Sequence, residues 1–459
     1  MRQNMKNRLN ILYIFTDQQA AFALSCAGSK DVHTPNIDRL ASHGVRFTNA
    51  YCPYPLCTPS RAGMFTGLAP HESGVTWNDM AIRTSVQHET LGRLLSANGY
   101  NCAYGGKWHV PEISMPENNE FGFRVICGHN DTILADRCAD FLKTKPREPF
   151  FLTASFDNPH NICERARHQK LPWGEIKTAS NVMDCPVLPA NSAVSPYAPE
   201  ILLREQQSKW QIYAAQNFEH DEWRCFRYDY FRLIEKVDKE IGKILTSLDT
   251  AGLTDRTVII FSSDHGEALG AHGWNQKTAL YEECVRVPLI IAEPGMTTGK
   301  ESHILVNNGE DFYTTVLDYA GIPDPANRRG VSIRAACPEL NRVQTHQKVI
   351  AEKSNNNKNS ASAELPFRQY IVTESFFGEC AGGPSFGHAR MLRSDRYKYA
   401  VYASGRYREQ LHDIHSDPGE MINLAVSSSY KEILQEYRNI LRNWCNETKD
   451  DDGIKLLPE

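Results

Sequence analysis

The segment Tyr51–Val75, YCPYPLCTPSRAGMFTGLAPHESGV, places Cys57 four residues before Arg61 in a stretch rich in proline and glycine. A cysteine in such a loop can be a thiol nucleophile, half of a disulfide, a metal ligand or a small buried residue. Pro59 and Ser60 are typical of a helix start, so we expect the loop to end and a helix to open here. The rest of the chain must decide between these chemistries.

Further polar clusters follow short apolar runs that are typical of β-strands. The clusters are FTDQQ with Asp17 and Gln18, GKWH with Lys107 and His109, DNPHN with His160, SSDHGE with Asp264 and His265, and HGWNQKTALYEE with Lys277. Each residue alone also has an ordinary structural role, such as helix capping by a strand-end aspartate. In open α/β sheets, however, ligands bind at the carboxyl ends of the strands. Together the clusters therefore predict one site at that edge.

The elements that position these residues alternate between apolar runs and amphipathic segments. Strands are predicted at 11–15, 101–104, 150–156, 257–262 and 287–292, and helices at 37–43, 60–66, 90–97 and 228–248. This alternation is typical of a mostly parallel sheet covered by helices. Beyond the polar segment 352–366, short alternating stretches and a closing amphipathic segment predict an antiparallel sheet with a terminal helix. We expect an α/β domain over 1–345 and a smaller subdomain over 346–459.

Composition and charge limit the kinds of partner. The 459 residues are 41% hydrophobic and 23% charged, and the net charge is −5 at pH 7. This balance disfavours nucleic acid as a partner, and no stretch approaches the ~20 apolar residues of a membrane span. The first apolar run is too short for a signal peptide, and the thirteen scattered cysteines form no disulfide or zinc pattern. We expect a cytoplasmic protein, or a periplasmic one if a signal peptide was removed.

The ordered set of motifs resembles the sulfatase family of the alkaline-phosphatase-like superfamily. The family signature C-x-P-S-R stands here as Cys57–Arg61, with Thr66 and Gly67 downstream. The resemblance extends over nearly the whole chain, from NILYIFTDQQ to LHDIHSDPGEMINLA. It implies a large mostly parallel sheet sandwiched by helices, with a smaller C-terminal α+β subdomain that contains an antiparallel sheet. It also implies an enzyme that hydrolyses sulfate esters.

In that family a maturation enzyme oxidises the signature cysteine, which implies formylglycine at Cys57. A hydrated aldehyde carries two hydroxyls on one carbon, so one can attack sulfur and the other can expel the sulfate as the carbonyl re-forms. The resemblance implies a divalent cation held by Asp17, Gln18, Asp264, His265 and residue 57. Oxygen-rich ligation favours Ca²⁺, and the imidazole also admits Mn²⁺ or another divalent ion.

The remaining family roles fall on basic residues. Arg61 would orient the diol, Lys107 and Lys277 would bind sulfate oxygens, and His109 or His160 would protonate the leaving alcohol. His160 is the predicted acid, because His109 is better placed in the family pattern to deprotonate the diol. His71 and Asn78 are predicted substrate contacts, with a supporting hydrogen bond as the alternative for His71.

The predicted substrate is a sulfated carbohydrate such as a glycosaminoglycan fragment, by analogy with family members. Three alternatives stay open. Asp17-Gln18 and Asp264-His265 replace the Asp-Asp and Asp-Asn pairs of many sulfatases and also resemble phosphonate monoester hydrolases and phosphodiesterases. A non-catalytic carbohydrate-binding relative is the alternative of another class, and a Cys52–Cys57 disulfide is the alternative for the signature cysteine.

Overall fold

The computed structural model describes residues 8–207, 217–337, 367–378 and 385–458 of the chain. Its strands are β1 (Asn10–Asp17), β2 (Val45–Tyr51), β3 (Asn101–Gly106), β4 (Arg124–Cys127), β5 (Phe150–Pro159), β6 (Thr257–Ser263), β7 (Leu289–Ala292), β8 (Lys300–Asn307), β9 (Tyr370–Gly378), β10 (Ser385–Ser394), β11 (Tyr397–Tyr402) and β12 (Glu409–Asp413). The predicted boundary at 345/346 and the segment 352–366 lie outside the described residues.

The described α-helices are Pro35–Ser42, Cys57–Thr66, Pro70–Ser73, Thr84–Gln87, Leu91–Ala97, Asp131–Lys143, Ile162–Ala166, Glu200–Gln206, His220–Thr250, Glu282–Val285, Glu310–Ala320, Lys431–Thr448 and Asp451–Leu456. All four helices predicted in the first domain are present, and the one predicted at 228–248 extends to 31 residues. In the described part of the chain, no helix has both the length and the apolar character of a membrane span. The compartment stays a prediction.

The larger sheet has eight strands in the order β4-β3-β5-β1-β6-β7-β2-β8. Its strand pairs are parallel except those that β7 makes with β6 and β2. This arrangement confirms the predicted mostly parallel α/β sheet. Because β1, β3, β5 and β6 are parallel neighbours, their carboxyl ends reach the same edge.

Three strands of this sheet were not predicted, namely β2, β4 and β8. The strands β4 and β8 are the outer strands, and several of their side chains are partly or fully exposed. An outer strand needs no continuous apolar run, so the sequence carries a weak signal there. The strand predicted at 287–292 is shorter in the structure, because β7 begins at Leu289, after the first two predicted residues.

Both faces of β1 are buried by helices, as expected for a parallel strand in the middle of a sheet. Ile11 and Tyr13 belong to one apolar cluster, which the helix Cys57–Thr66 joins through its own buried side chains. Leu12 belongs to the cluster on the opposite face, to which the helix His220–Thr250 contributes. The strand β1 is therefore packed on both faces.

The smaller sheet is antiparallel, in the order β12-β11-β10-β9, and the helix Lys431–Thr448 packs on it. This confirms the predicted C-terminal antiparallel sheet with its closing helix. Hydrogen bonds from β9 join it to the larger unit: Thr373 Oγ1 donates to the Cys52 carbonyl at 2.8 Å and Ser375 Oγ to the Thr278 carbonyl at 2.7 Å. One strand thus fixes both the loop before Cys57 and the loop after Lys277.

Candidate active site

Four strands of the larger sheet bring charged residues to one edge. β1 ends at Asp17, β3 is followed by Lys107, β6 is followed by Asp264, and Asp157 lies near the end of β5. None of the four is more than 3% exposed. Because a buried charge is costly unless it is paired, these residues must be considered as one electrostatic unit.

Cys57 is the first residue of a helix that runs to Thr66, so the helix starts three residues before the predicted start at Ser60. Pro59 fits this first turn because a helix makes no use of the N–H groups at its start. The thiol is 1% exposed and lies at the positive end of the helix dipole. Among the described residues the cysteines are free thiols, so the Cys52–Cys57 disulfide is absent.

The side chain of Cys57 lies among three of the predicted metal ligands. Its Sγ atom is 3.6 Å from Oδ1 of Asp17 and 3.3 Å from Nε2 of His265. Nε2 of His265 is 3.7 Å from Oδ1 of both Asp17 and Asp264. One ligand atom from each of the four residues lies within 4.8 Å of the others. Since metal–ligand distances are ~2.0–2.6 Å, one ion between these atoms can reach all four.

The other ring nitrogen of His265 sets the orientation of the imidazole. Nδ1 lies 3.0 Å from the Gly266 carbonyl, which can only accept a hydrogen bond, so Nδ1 carries the proton. In the neutral ring, Nε2 then directs its lone pair into the space between the two aspartates, where a cation could accept it. A backbone carbonyl commonly orients imidazole ligands in this way. This donor set fits a divalent cation.

Arg61 joins the two aspartates through their remaining oxygens. Its Nη2 donates to Oδ2 of Asp17 at 2.9 Å, and its Nε donates to Oδ2 of Asp264 at 2.7 Å. Its Nη1 donates to the Lys107 carbonyl at 2.6 Å. Because Arg61 binds the Oδ2 atoms, the Oδ1 atoms face the sulfur and the imidazole.

Two buried lysines place positive charge beside residue 57. Nζ of Lys277 lies 3.0 Å from Sγ of Cys57. Nζ of Lys107 lies 2.8 Å from Oδ2 of Asp17 and 3.0 Å from Oδ1 of Asp157. Burial would lower the pKa of each ammonium, but the neighbouring negative groups outweigh it and raise both pKa values. Both lysines therefore stay charged.

The charged groups at this edge of the larger sheet favour a negative charge on residue 57. Burial and Asp17 oppose ionisation of the Cys57 thiol, but Lys277 and Lys107 outweigh them and hold its pKa well below the usual range. Burial and the charge of Asp17 raise the pKa of Asp264. A cation between the two aspartates would relieve that repulsion.

Two further predicted residues lie beside this cluster and bind protein groups. The side-chain Nε2 of Gln18 donates to Oε2 of Glu267 at 2.6 Å, and its backbone N–H donates to Oδ1 of Asp264 at 3.0 Å. Oδ1 of Asn78 accepts the N–H of Thr58 at 3.1 Å. Asn78 thus holds the start of the helix that carries residue 57.

The three remaining histidines differ in their partners. Nδ1 of His71 lies 2.6 Å from Oε1 of Glu374 and Nε2 lies 3.1 Å from the Thr448 carbonyl, so both ring nitrogens are engaged. His109 has a positive φ of 56°, and its buried Nδ1 has no hydrogen-bond partner among the described residues. His160 directly follows β5 and is partly exposed.

Sequence reasoning missed Asp157, which opens the DNPHN cluster. Its Oδ1 atom binds Lys107 and lies 3.2 Å from Nε2 of His129, and its Oδ2 atom accepts the indole N–H of Trp173 at 2.8 Å. The available signal was a strand-end carboxylate three residues before His160. His129 and Trp173 stand in no motif, so the sequence did not point to them.

A second cluster, here called the inter-sheet group, comprises buried His272 and Glu420 and half-buried Glu283, with ligand atoms within 4.8 Å of one another. Nζ of Lys398 in β11 lies 2.8 Å from Oε1 of Glu420, and Nδ2 of Asn191 donates to Oε1 of Glu283 at 2.9 Å. The protein's own donors thus already bind both carboxylates. The group brings the turn at His272 and the helix Glu282–Val285 against Glu420, which follows β12.

Comparisons with known proteins agree with this geometry. The Sulfatase family model matches residues 9–322. A Delta 4,5-hexuronate-2-O-sulfatase of Bacteroides thetaiotaomicron is 29% identical to this chain, and the match covers 96% of this chain and 90% of the relative. The structure of a 2-O GAG sulfatase superposes with a TM-score of 0.77 at 26% identity, covering 97% of this chain and 93% of that one.

The phosphonate monoester hydrolase of Agrobacterium radiobacter also superposes, with a TM-score of 0.73 at 20% identity over 96% of each chain. At that identity the likeness concerns the fold alone. The family model spans more than half of the chain and includes the strand ends that carry Asp17, Lys107 and Asp264. The chain therefore belongs to the sulfatase family of the alkaline-phosphatase-like superfamily and is a sulfuric ester hydrolase.

Proposed function

We propose that this protein hydrolyses a sulfate ester on a carbohydrate, with formylglycine at position 57 and a divalent cation. The observation that carries the proposal is the convergence of Asp17, Asp264 and His265 on Sγ of Cys57, with the Lys277 ammonium 3.0 Å from that atom. A thiol nucleophile needs no ring of metal-type ligands around it. The sulfur here stands where an oxygen of the hydrated aldehyde would lie.

The cation would be held by Asp17, Gln18, Asp264, His265 and residue 57. When bound, it would neutralise the two aspartates and stabilise negative charge on an oxygen at residue 57. Carboxylate and amide oxygens favour Ca²⁺, and the His265 nitrogen also admits Mn²⁺.

The chain's own residues bind the anion and move protons. Lys277 and Lys107 supply the buried positive charge that a sulfate ester needs, and each such group is typically worth ~10²–10³ in rate. Arg61 keeps the aspartates in place. His160, which is partly exposed, would protonate the leaving alcohol, and His109, whose buried Nδ1 has no partner among the described residues, would deprotonate the diol.

The carbohydrate substrate is inferred from the relatives, whose names specify sulfated uronate and glycosaminoglycan sugars. Contacts of Asn78 and His71 with that sugar stay predictions. Hydrolysis of a phosphonate monoester or phosphodiester is the second candidate, because a phosphonate hydrolase shares the fold.

The first test concerns maturation of residue 57. Trypsin should release the peptide FTNAYCPYPLCTPSR, which lies between Arg46 and Arg61 and contains both Cys52 and Cys57. After co-expression with a formylglycine-generating enzyme, we expect fragment masses that assign an aldehyde to position 57 and a thiol to Cys52. Cys57→Ala should abolish turnover. Full activity in Cys57→Ala would disprove the formylglycine mechanism.

The second test concerns the substrate. Parallel kinetics on p-nitrophenyl sulfate and a phenyl phosphonate monoester should give the higher kcat/KM with the sulfate. A panel of 2-O- and 6-O-sulfated uronate and glucosamine saccharides should then identify the preferred ester. A strong preference for the phosphonate would favour the second candidate.

A further inference from the structure

Glu267 is a fully buried carboxylate that stands three residues after Asp264. Its Oε2 atom accepts the side-chain amide of Gln18 at 2.6 Å. Its Oε1 atom accepts the backbone N–H groups of Leu269 at 3.1 Å and of Gln276 at 2.5 Å. One side chain thus links the predicted metal ligand Gln18 to the loop that carries the sulfate-binding lysine.

The contact with Glu267 determines whether the oxygen or the nitrogen of the Gln18 amide points away from Glu267. A carboxylate can only accept hydrogen bonds, so Gln18 must turn its Nε2 toward Glu267 and its Oε1 away. The described partner of Oε1 is the thiol of Cys163, a weak donor at 3.8 Å. Rotation of the amide by half a turn would put a carbonyl oxygen against the carboxylate.

The backbone of Gln18 is also held. Its φ angle is +70°, in the left-handed region that few non-glycine residues adopt. Its N–H donates to Oδ1 of Asp264 at 3.0 Å, and its carbonyl accepts the hydroxyl of Tyr230 at 2.7 Å. The side-chain amide remains to be oriented, and Nε2 of Gln18 lies 2.6 Å from Oε2 of Glu267 and 3.5 Å from Sγ of Cys163, so the carboxylate is its strong acceptor.

We propose that Glu267 is a positioning residue that holds the Gln18 amide with its Oε1 atom presented to the cation. This inference rests on the proposed function, since it assumes a cation bound by Asp17, Gln18, Asp264 and His265. A carboxylate behind a neutral amide polarises that amide and makes its oxygen a stronger donor. Glu267 therefore supplies part of the negative charge that an aspartate at position 18 would bring. It does so indirectly, through the Gln18 amide.

Exchanging the residues at positions 18 and 267 reverses the polarity of this contact without changing the net charge of the protein, whereas Glu267→Gln alone removes one negative charge. In Glu267→Gln, the carbonyl oxygen of the new amide still accepts the N–H groups of Leu269 and Gln276, but its NH₂ group faces the NH₂ of Gln18. Gln18 must then rotate and present a donor to the cation. Adding Gln18→Glu restores an acceptor toward position 267 and an oxygen toward the cation.

Calcium chloride is titrated calorimetrically into metal-stripped wild type, Glu267→Gln, the double variant Gln18→Glu/Glu267→Gln, and the control Glu283→Gln. Loss of an outer partner of a metal ligand typically costs ~10–100-fold in metal affinity, so we expect that loss in Glu267→Gln. The double variant and the control should bind within a few-fold of wild type. Melting temperatures in a chelator verify that all four proteins are folded.

Wild-type affinity in Glu267→Gln would overturn the inference and leave the proposed function standing. Equal weakening of the single and double variants would also overturn it, because the loss would then come from packing rather than from amide orientation. Absence of calcium and manganese binding in the wild type would overturn the metal part of the proposed function, and this inference with it.

Discussion

Two clusters of this molecule each combine a histidine with two carboxylates, and they differ in the further groups that contact them. The active-site cluster is Asp17, Cys57, Asp264 and His265, and the inter-sheet group is His272, Glu283 and Glu420. In the first, Nε2 of His265 faces Sγ of Cys57 and the two aspartates. In the second, the His272 ring lies flat on Tyr281, with ring centroids 3.6 Å apart, and the Lys398 ammonium binds Glu420.

The difference shows that residue types and proximity do not by themselves define a metal site. Burial lowers the pKa of His272 to about 3, so its ring stays neutral in the inter-sheet group. Lys398 also lies 3.1 Å from Oε1 of Glu282 and so serves two carboxylates. Within the inter-sheet group, the ammonium of Lys398 binds the Glu420 carboxylate, whereas Nζ of Lys277 in the active site lies 3.0 Å from Sγ of Cys57.

The largest effect should come from removing the internal cation. Lys398→Met leaves Glu282 and Glu420 buried without their ammonium, and loss of one partner of a buried ion pair costs ~3–5 kcal/mol. A guanidinium titration should show that decrease in the free energy of unfolding, while kcat per folded molecule stays near wild type. A Lys398→Met protein that is as stable as wild type but inactive would contradict the distinction between the two clusters.

The matched variant in the active site is Lys277→Met, since both lysines are buried and both would become methionine. Nζ of Lys277 lies against residue 57 rather than in an ion pair with a carboxylate. We therefore expect kcat to fall ~10²–10³-fold, with little change in the melting temperature. Steady-state kinetics and thermal melts on the same preparation decide this. A melting temperature far below that of wild type with normal kcat would make Lys277 a structural lysine.

Much of the fold was accessible from the sequence because its central strands are continuous apolar runs. β1, β3, β5 and β6 were predicted, and so were the polar residues that follow them. The outer strands β4 and β8 were missed because one-sided exposure breaks the apolar pattern. The roles of the site residues came from the family resemblance rather than from the pattern itself.

Pairing across the fold could not be predicted from the sequence. Nothing local indicates that Asp157 binds Lys107, that His129 and Trp173 meet that carboxylate, or that Glu267 orients Gln18. These contacts join segments that are far apart along the chain. Likewise, only the fold places Lys398 beside Glu420.

The smallest effect concerns the charge of Glu283. Burial and Glu420 raise the pKa of Glu283 to about 7, above its ordinary value of 4.5. The folded state therefore binds this proton more tightly, so the contribution to stability is full below pH 4.5 and is lost as the pH rises through 7. Glu283→Gln keeps the acceptor for Asn191 and carries no charge at any pH.

Relative to wild type, Glu283→Gln should gain about 2–3 kcal/mol of unfolding free energy at about pH 8 and almost nothing at about pH 4. Denaturant titrations across this range measure the difference. If the variant were instead less stable than wild type at about pH 8, ionised Glu283 would be stabilised by a positive partner in the folded state. A cation between His272, Glu283 and Glu420 would then be required, and the inter-sheet group would have to be classed with the active-site cluster rather than against it.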